Sequence, residues 1–496
     1  MSSRIYCLLW GLLVVVGLSA QDSMVEVPSS EWTAPVATDS NNSRVFTEED
    51  YLNWVQRYHP IIRQANLLRR EGEAYQLKAR GGFDPKIEGG IERKSFDGKN
   101  YFTIGETGLK IPSWFGAEFK AGYTWNSGIF LNPEDNLPNA GQAFAGVTWT
   151  LGQGLMIDER RAALQQARIL LQANEAERQE IVNDLLLDAG KAYWEWVNAY
   201  NDWQIQAAAL ELATVRLDGV RNSFLQGDKP AIDTLESLIQ VQNREIATND
   251  VRMIYENSRR VLSNFLWYQN EIPVEVSDLL LPPYYPNISL PSAGLDIGEL
   301  LSNLQEVHPI LQQYRFKLQQ LEVDRRLKKE YMKPQVDVEF NFLANGFDFV
   351  NPPKDGGEMG NFNALLTENY KAGITVGMPI FRRKARADLE LVDLKLLDTN
   401  FFLRQKSQEI KNKILNYREQ LDNSRQQVGI NRIAVNNYER LLEAENEKFR
   451  FGESSIFLVN SREQKLVEAQ LKLVKLLTVF HKDRLGLIWS AGQLPL

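Results

Sequence analysis

Alternating apolar and polar residues mark several segments of the chain as strands with one apolar and one polar face. The clear segments are 118–125, 143–151, 336–342 and 370–378, and the weaker candidates are 85–95 and 101–111. Taken singly, each segment fits a half-buried sheet of a soluble domain. The pattern predicts about four strands, or six when the weaker candidates are included.

Long stretches without proline favour helices at 139–229 and 380–494. A helix over 382–452, about 70 residues, would be on the order of 100 Å long. Apolar residues also recur in steps of seven, which predicts left-handed coiled-coil seams. One seam is Val459, Leu466, Leu473, Phe480 and Leu487, and the other is Ile232, Ile239, Ile246 and Met253.

The chain repeats itself once. His-Pro-Ile opens a helix-favouring segment at 59–61 and again at 308–310, and each segment ends at a proline, Pro85 or Pro334. The two offsets agree, since 308 − 59 and 334 − 85 both equal 249. One internal duplication predicts a first repeat at 46–267, a proline-rich linker at 268–295 and a second repeat at 296–490.

The beginning of the chain predicts export. Residues 1–20 contain Arg4, an apolar run at 8–16 and then small residues, which is the order of a secretory signal peptide. The run is too short to span a bilayer as a helix. Because Cys7 lies inside this run, we expect no lipid attachment, a mature chain without cysteine, and a flexible segment at 21–45.

Composition excludes several functional classes. The 496 residues include 56 basic and 64 acidic side chains, and this net charge of −8 argues against nucleic acid as a partner. Histidine is scarce, and we expect His59 and His308 to start helices rather than to bind a metal. No nucleophile–base pair or nucleotide-binding loop is visible. We therefore expect no enzymatic activity, no cofactor and no metal site.

The strand count bears on assembly. A transmembrane barrel needs at least eight strands, so an exported chain with fewer membrane-type strands must pool them with copies of itself. The attached helices would then form a tube below the barrel. On this interpretation, Tyr123, Trp125, Phe340 and Phe342 face lipid.

The signal peptide, the two helix–strand–helix halves, the His-Pro-Ile openings and the glycine-centred turns resemble the TolC outer-membrane efflux family. The resemblance covers about residues 46–490 and implies an α+β membrane protein built from two internal repeats. It implies a homotrimer in which a long α-helical coiled-coil tunnel joins a transmembrane β-barrel of twelve strands. The barrel would lie in the cell outer membrane and the helical part in the periplasm.

The resemblance also implies a function. Members of the family are exit ducts of tripartite efflux pumps or type I secretion systems, with a periplasmic adaptor protein and an inner-membrane pump as partners. The alternative is a periplasmic coiled-coil scaffold with a small soluble sheet and no channel activity. Extraction without detergent would favour that scaffold.

Two glycine-centred turns are the expected adaptor-docking sites. Their residues are Gly227, Asp228, Lys229, Pro230, Gly452, Glu453, Ser454 and Ser455. The family carries acidic residues six and nine positions after the glycine of its second turn. Here Leu458 and Ser461 occupy those positions, so the second turn departs from the family pattern.

The first turn keeps the acidic pattern instead. Asp233 and Glu236 stand six and nine residues after Gly227, and we expect them to form a periplasmic gate with Lys229 neutralising part of their charge. The competing interpretation is ordinary solvated charge in the first turns of a helix, where acidic residues favour the helix dipole.

Overall fold

The computed structural model describes residues 44–277, 279–294, 296–347 and 369–494. The predicted signal peptide and nearly all of the segment 21–45 lie outside the described residues. The chain from Val45 to Leu496 forms one unit.

Two very long helices dominate the described residues. The helices are α1 (Glu48–Tyr58), α2 (Pro60–Arg80), α3 (Glu159–Leu225), α4 (Ala231–Ser263), α5 (Ile297–Ser302), α6 (Leu304–Val307), α7 (Pro309–Glu330), α8 (Arg383–Arg450) and α9 (Ile456–Ser490). With 67 and 68 residues, α3 and α8 are each about 100 Å long. The predicted long helices are confirmed. None of the described helices is long and apolar enough to cross a membrane.

The two His-Pro-Ile sequences start helices, as predicted. The His59 Nδ1 atom accepts a hydrogen bond from the Ile61 N–H at 3.2 Å, and Pro60 takes the first helical position, where no N–H is needed. His308 holds the same place immediately before Pro309 at the start of α7.

All six strand candidates form one antiparallel sheet. Its strands are β2 (Lys86–Phe96), β3 (Lys99–Pro112), β4 (Ala117–Ser127), β5 (Gln142–Thr150), β9 (Gln335–Leu343) and β10 (Tyr370–Gly377). Their order across the sheet is β10-β9-β5-β4-β3-β2. The remaining strands have two residues each: β1 (Arg44–Val45), β6 (Trp267–Tyr268), β7 (Ile272–Pro273) and β8 (Leu280–Leu281).

The sheet has more strands than the family resemblance implies for each chain. A twelve-stranded barrel shared by three chains would use four strands from each, whereas this chain contributes six to one sheet. The sheet is open, with β2 and β10 at its edges. The additional strands come from the first half of the chain, which supplies β2 to β5.

The main hydrophobic core lies in the helical body, away from the sheet. Tyr51 of α1 stacks on Tyr193 of α3 with ring centres 5.6 Å apart, and Phe480 of α9 is fully buried in the same cluster. The linker is held there by a buried amide. The Asn201 side chain donates to the Pro283 carbonyl at 3.1 Å and accepts from the Tyr285 N–H at 2.9 Å.

Candidate functional site

The sheet register places apolar residues in one row and lysines in the neighbouring row on the opposite face. Directly opposed residues share a face of a sheet. One row across all six strands reads Ile87, Leu109, Ala121, Ala145, Phe342 and Tyr370. The neighbouring row on the opposite face reads Lys86, Lys110, Lys120, Gly146, Asn341 and Lys371. The sheet therefore has one apolar and one polar face.

Among the described residues, no element covers the apolar face. Ile87 on β2 is 84% exposed and Ile374 on β10 is 72% exposed. Tyr123, Trp125 and Phe340 lie on this face, and Phe342 belongs to the row given above. Because a continuous exposed apolar surface of this kind marks an interaction surface, this face needs an apolar medium or a partner.

The polar face carries mixed charge. Lys110 forms an ion pair with Glu88 across β2 and β3, and the Lys120 Nζ lies 3.8 Å from the Glu339 Oε1. The Thr150 hydroxyl adds a hydrogen bond of 2.8 Å to the Asp337 carboxylate. These contacts suit a surface that faces water.

Aromatic side chains gather at both ends of the strands. Near the helices, Phe115 and Phe119 pack edge to face with ring centres 6.3 Å apart. At the far end, Tyr123 and Trp125 stack at 6.1 Å. Girdles of aromatic residues at both interfaces are typical of membrane-embedded sheets.

The two glycine turns have the same backbone geometry. Gly227 has φ 84° and Gly452 has φ 79°, a left-handed conformation that glycine adopts without steric cost. The Asp228 N–H donates to the Ser223 carbonyl, and the Glu453 N–H donates to the Lys448 carbonyl, each at 2.9 Å. These bonds close the ends of α3 and α8 in the same way.

Side chains join the two turns to each other and to their helices. The Lys229 ammonium lies 4.5 Å from the centre of the Phe449 ring, so it connects the first turn to the second. The Ser454 hydroxyl donates to the Glu445 carboxylate at 2.5 Å, and this hydrogen bond lowers the pKa of Glu445. Arg462 approaches the same carboxylate at 3.6 Å.

The candidate gate residues lie beside this contact. Asp233 and Glu236 are half-buried in the first turns of α4, three residues apart and therefore on one side of the helix. Ser237 is buried next to them and donates to the Asp233 carbonyl at 2.8 Å. The structure places the Lys229 charge over Phe449, whereas the sequence predicted that it neutralises these carboxylates.

Comparison with solved structures identifies the architecture. The Campylobacter jejuni CmeC outer membrane channel is 12% identical, with TM-score 0.60 over 92% of this chain and 90% of that chain. The VceC outer membrane protein of Vibrio cholerae is 14% identical, with TM-score 0.61 over 90% and 96%. The open-state MtrE outer membrane channel of Neisseria gonorrhoeae is 12% identical, with TM-score 0.61 over 92% and 95%.

The chain has the fold of the TolC-like outer-membrane channels. The resemblance inferred from the sequence is thus confirmed at the level of the fold. No protein-family model matches the sequence, and a search of curated proteins finds no match.

Within this TolC-like fold, a buried charge network was missed by the sequence analysis. Glu463 of α9 is only 2% exposed and forms an ion pair with Arg216 of α3. Arg244 of α4 lies 4.0 Å from the same carboxylate, and Asn460 accepts from Arg216 at 3.0 Å. Glu463 follows Val459 by four residues, so its position beside the coiled-coil seam was the available signal.

The two predicted coiled-coil seams, on α9 and on α4, differ in how far they are buried. In α9, Val459, Leu473, Phe480 and Leu487 are buried, and Leu466 packs against the same core. The α4 stripe is exposed by 48–69% at Ile232, Ile239, Ile246 and Met253. A coiled-coil seam with this exposure has no partner helix in the part of the chain that the structure describes.

Proposed function

We propose that this protein is the outer-membrane exit duct of a tripartite efflux pump or type I secretion system, assembled as a homotrimer. One observation carries the proposal: a sheet with an uncovered apolar face sits at one end of helices about 100 Å long. A bilayer covers such a face, and the helices then extend into the periplasm.

The polarity of the sheet favours this orientation. With the apolar face in lipid, Tyr123, Trp125, Phe340 and Phe342 contact the membrane, and the lysine row faces a water-filled interior. The reverse orientation would bury charge in lipid, where Lys or Arg at the midplane costs roughly 2–4 kcal/mol each.

Assembly into a trimer would cover two surfaces that the single chain leaves exposed. The open edges of the sheet present unpaired backbone groups, and the α4 stripe presents an uncovered seam. Neighbouring copies cover both features at once. The structural neighbours are channels of the same fold, which supports this arrangement.

The glycine turns are the proposed docking sites for a periplasmic adaptor, which links the duct to an inner-membrane pump. They lie at the opposite ends of α3 and α8 from the sheet, so they project farthest from the outer membrane. Asp233 and Glu236 follow the first turn directly, and three copies of each would ring the periplasmic opening as a gate.

Reconstitution into a planar bilayer tests the proposal. The protein should require detergent for extraction, form particles of three copies by native mass measurement, and give discrete conductance steps. A protein that is extracted without detergent and gives no conductance would instead be the periplasmic scaffold.

A further inference from the structure

The number of strands per chain determines the size of any barrel that copies of this chain can close. We propose that three copies close an eighteen-stranded barrel, three times six strands, in which β10 of one copy pairs with β2 of the next. This inference rests on the trimeric channel proposed above. It departs from the twelve strands that the family resemblance implies.

Strand direction permits this closure. The β2 strand follows α2 and runs away from the helical body, whereas β10 runs back toward it and leads into α8. The edge strands are therefore antiparallel, like every other neighbouring pair in the sheet. Three sheets placed edge to edge alternate in direction all the way round, so no strand meets a parallel neighbour.

The two outer strands of the first half are suited to the membrane. A transmembrane strand needs about 9–11 residues, and β2 has 11 while β3 has 14. From Lys86 to Ile91 on β2 and from Gly105 to Lys110 on β3, both continue the two faces of the sheet, and the register shifts only later, between Lys94 and Ser95. Ile87 extends the apolar row, and Lys86 extends the lysine row.

Both edge strands carry exposed apolar side chains on the same face of the sheet. On the apolar face, Ile91 of β2 is 73% exposed, and Ile374 and Val376 of β10 are 72% and 66% exposed. Pairing β10 of one copy with β2 of the next gives the backbone N–H and C=O groups of both edges hydrogen-bond partners. It also makes the apolar belt continuous around the barrel.

A barrel of twelve strands would require β3 to separate from β4. These two strands pair from Thr103–Ser127 to Pro112–Glu118, so freeing the edge of β4 for a neighbouring copy would break all the hydrogen bonds between them. Barrel diameter grows roughly linearly with strand number, so eighteen strands give a bore about half as wide again as twelve. The narrowest part of the channel then lies in the helices.

Cysteine cross-linking distinguishes the two barrels. The sole cysteine, Cys7, lies in the predicted signal peptide, so introduced pairs have no background in the mature chain. Ile91→Cys is combined in turn with Ala372→Cys, Ile374→Cys and Val376→Cys to cover neighbouring registers, and a membrane-permeable oxidant is added to the intact membranes. A β9–β10 pair within one chain, Val338→Cys with Ile374→Cys, is directly opposed and controls for reactivity.

The eighteen-stranded barrel predicts covalent dimers and trimers in at least one of the three β2–β10 combinations. A second series joins Ile374→Cys to Phe119→Cys or Tyr123→Cys on β4, where covalent trimers would indicate a twelve-stranded barrel and overturn the inference. Trimers by native mass with no β2–β10 product, despite a reactive control pair, also overturn it while leaving the channel intact. Absence of trimers would instead contradict the proposed function itself.

Discussion

Buried histidines make the helical body sensitive to acid. His481 stacks on Trp194 with ring centres 3.6 Å apart and contacts the Ser289 carbonyl at 3.1 Å. Burial, assisted by the nearby positive charge of Arg484, lowers the pKa of His481 to about 3. Burial likewise lowers the pKa of His308 to about 4. Both side chains are therefore neutral in the folded protein at neutral pH.

The sign of the pH effect follows from these values. The unfolded chain binds protons at these histidines below about pH 6.5 and the folded chain does not, so their contribution to stability is full above pH 6.5 and is lost toward pH 3. At pH 5 the loss is about 2 kcal/mol per histidine. We expect His481→Gln to reduce the fall in thermal stability between pH 7 and pH 5, measured by circular dichroism in detergent.

Buried carboxyl groups change the stability in the opposite direction as the pH falls, so the pH dependence of the wild type alone does not report on His481. The difference between the wild type and His481→Gln isolates the contribution of this histidine. Burial raises the pKa of Asp202 to about 6, and that group stabilises the fold as the pH falls. An identical pH dependence in the wild type and in His481→Gln would contradict the assignment.

Adjacent residues on β10 test which face of the sheet meets lipid. Ile374 lies on the apolar face and Thr375 on the polar face, and both are exposed. Ile374→Arg should strongly reduce the amount of trimer in the outer membrane, because the charge costs roughly 2–4 kcal/mol at the lipid midplane. Thr375→Arg is the matched control and should insert normally. Equal insertion of both variants would argue for a soluble sheet.

At the scale of helices, the buried charge network holds three elements together. Glu463→Gln leaves Arg216 and Arg244 without their shared carboxylate, and breaking a buried pair in this way costs about 3–5 kcal/mol. We expect a clear drop in the thermal midpoint of the helical signal. Glu468→Gln on the same helix is the control, because its pair with Lys465 at 2.8 Å is exposed and contributes little. Similar losses in both variants would contradict this network.

The glycine turns offer a direct test of docking. Glu453 is exposed at the second turn, whereas Ser454 is engaged with Glu445, so Glu453→Cys disturbs less. We expect Glu453→Cys to cross-link to a cysteine-bearing hairpin of the periplasmic adaptor of the cognate pump. Lys411→Cys, exposed on α8 far from the turn, should give no product. Cross-linking of Lys411→Cys alone would move the docking site away from the turns.

The sequence predicts elements well where one chain supplies the whole pattern. The alternation from Val336 to Phe342 and the proline-free run of α8 each led to the correct element. The β2 strand was weaker because Gly89 and Gly90 interrupt its apolar positions, and only the pairing with β3 fixes its register. The α4 stripe predicted a seam, but none of the described elements covers it.

Candidate sites were less accessible to sequence reasoning. Glu463 and Glu468 are both acidic residues of α9, and only the spacing of Glu463, four residues after Val459, distinguishes the buried carboxylate from the exposed one. Lys229 was expected to neutralise part of the charge of Asp233 and Glu236, because it stands just before their helix. The fold instead brings Phe449 to it from the other half of the chain.

For the whole molecule, three chains would bring six carboxylates to one opening. If the side of α4 that carries Asp233 and Glu236 faces the axis, the ring attracts cations and repels anions. We expect the double variant Asp233→Asn and Glu236→Gln to lower cation selectivity in a planar bilayer and to weaken block by multivalent cations. Unchanged selectivity in a correctly assembled double variant would place both acids outside the pore, where salt screens them.

The polar face of the sheet has the opposite electrical character. Its acidic and basic side chains are nearly equal in number: Glu88, Glu92, Glu106, Glu118, Asp337 and Glu339 against Lys86, Lys94, Lys110, Lys120 and Lys371. Opposite charges this close cancel beyond a Debye length of about 8 Å at physiological salt. In the proposed barrel, the electrostatic potential in the wide outer vestibule is therefore small. Solutes of either sign would leave the cell through it without being sorted by charge.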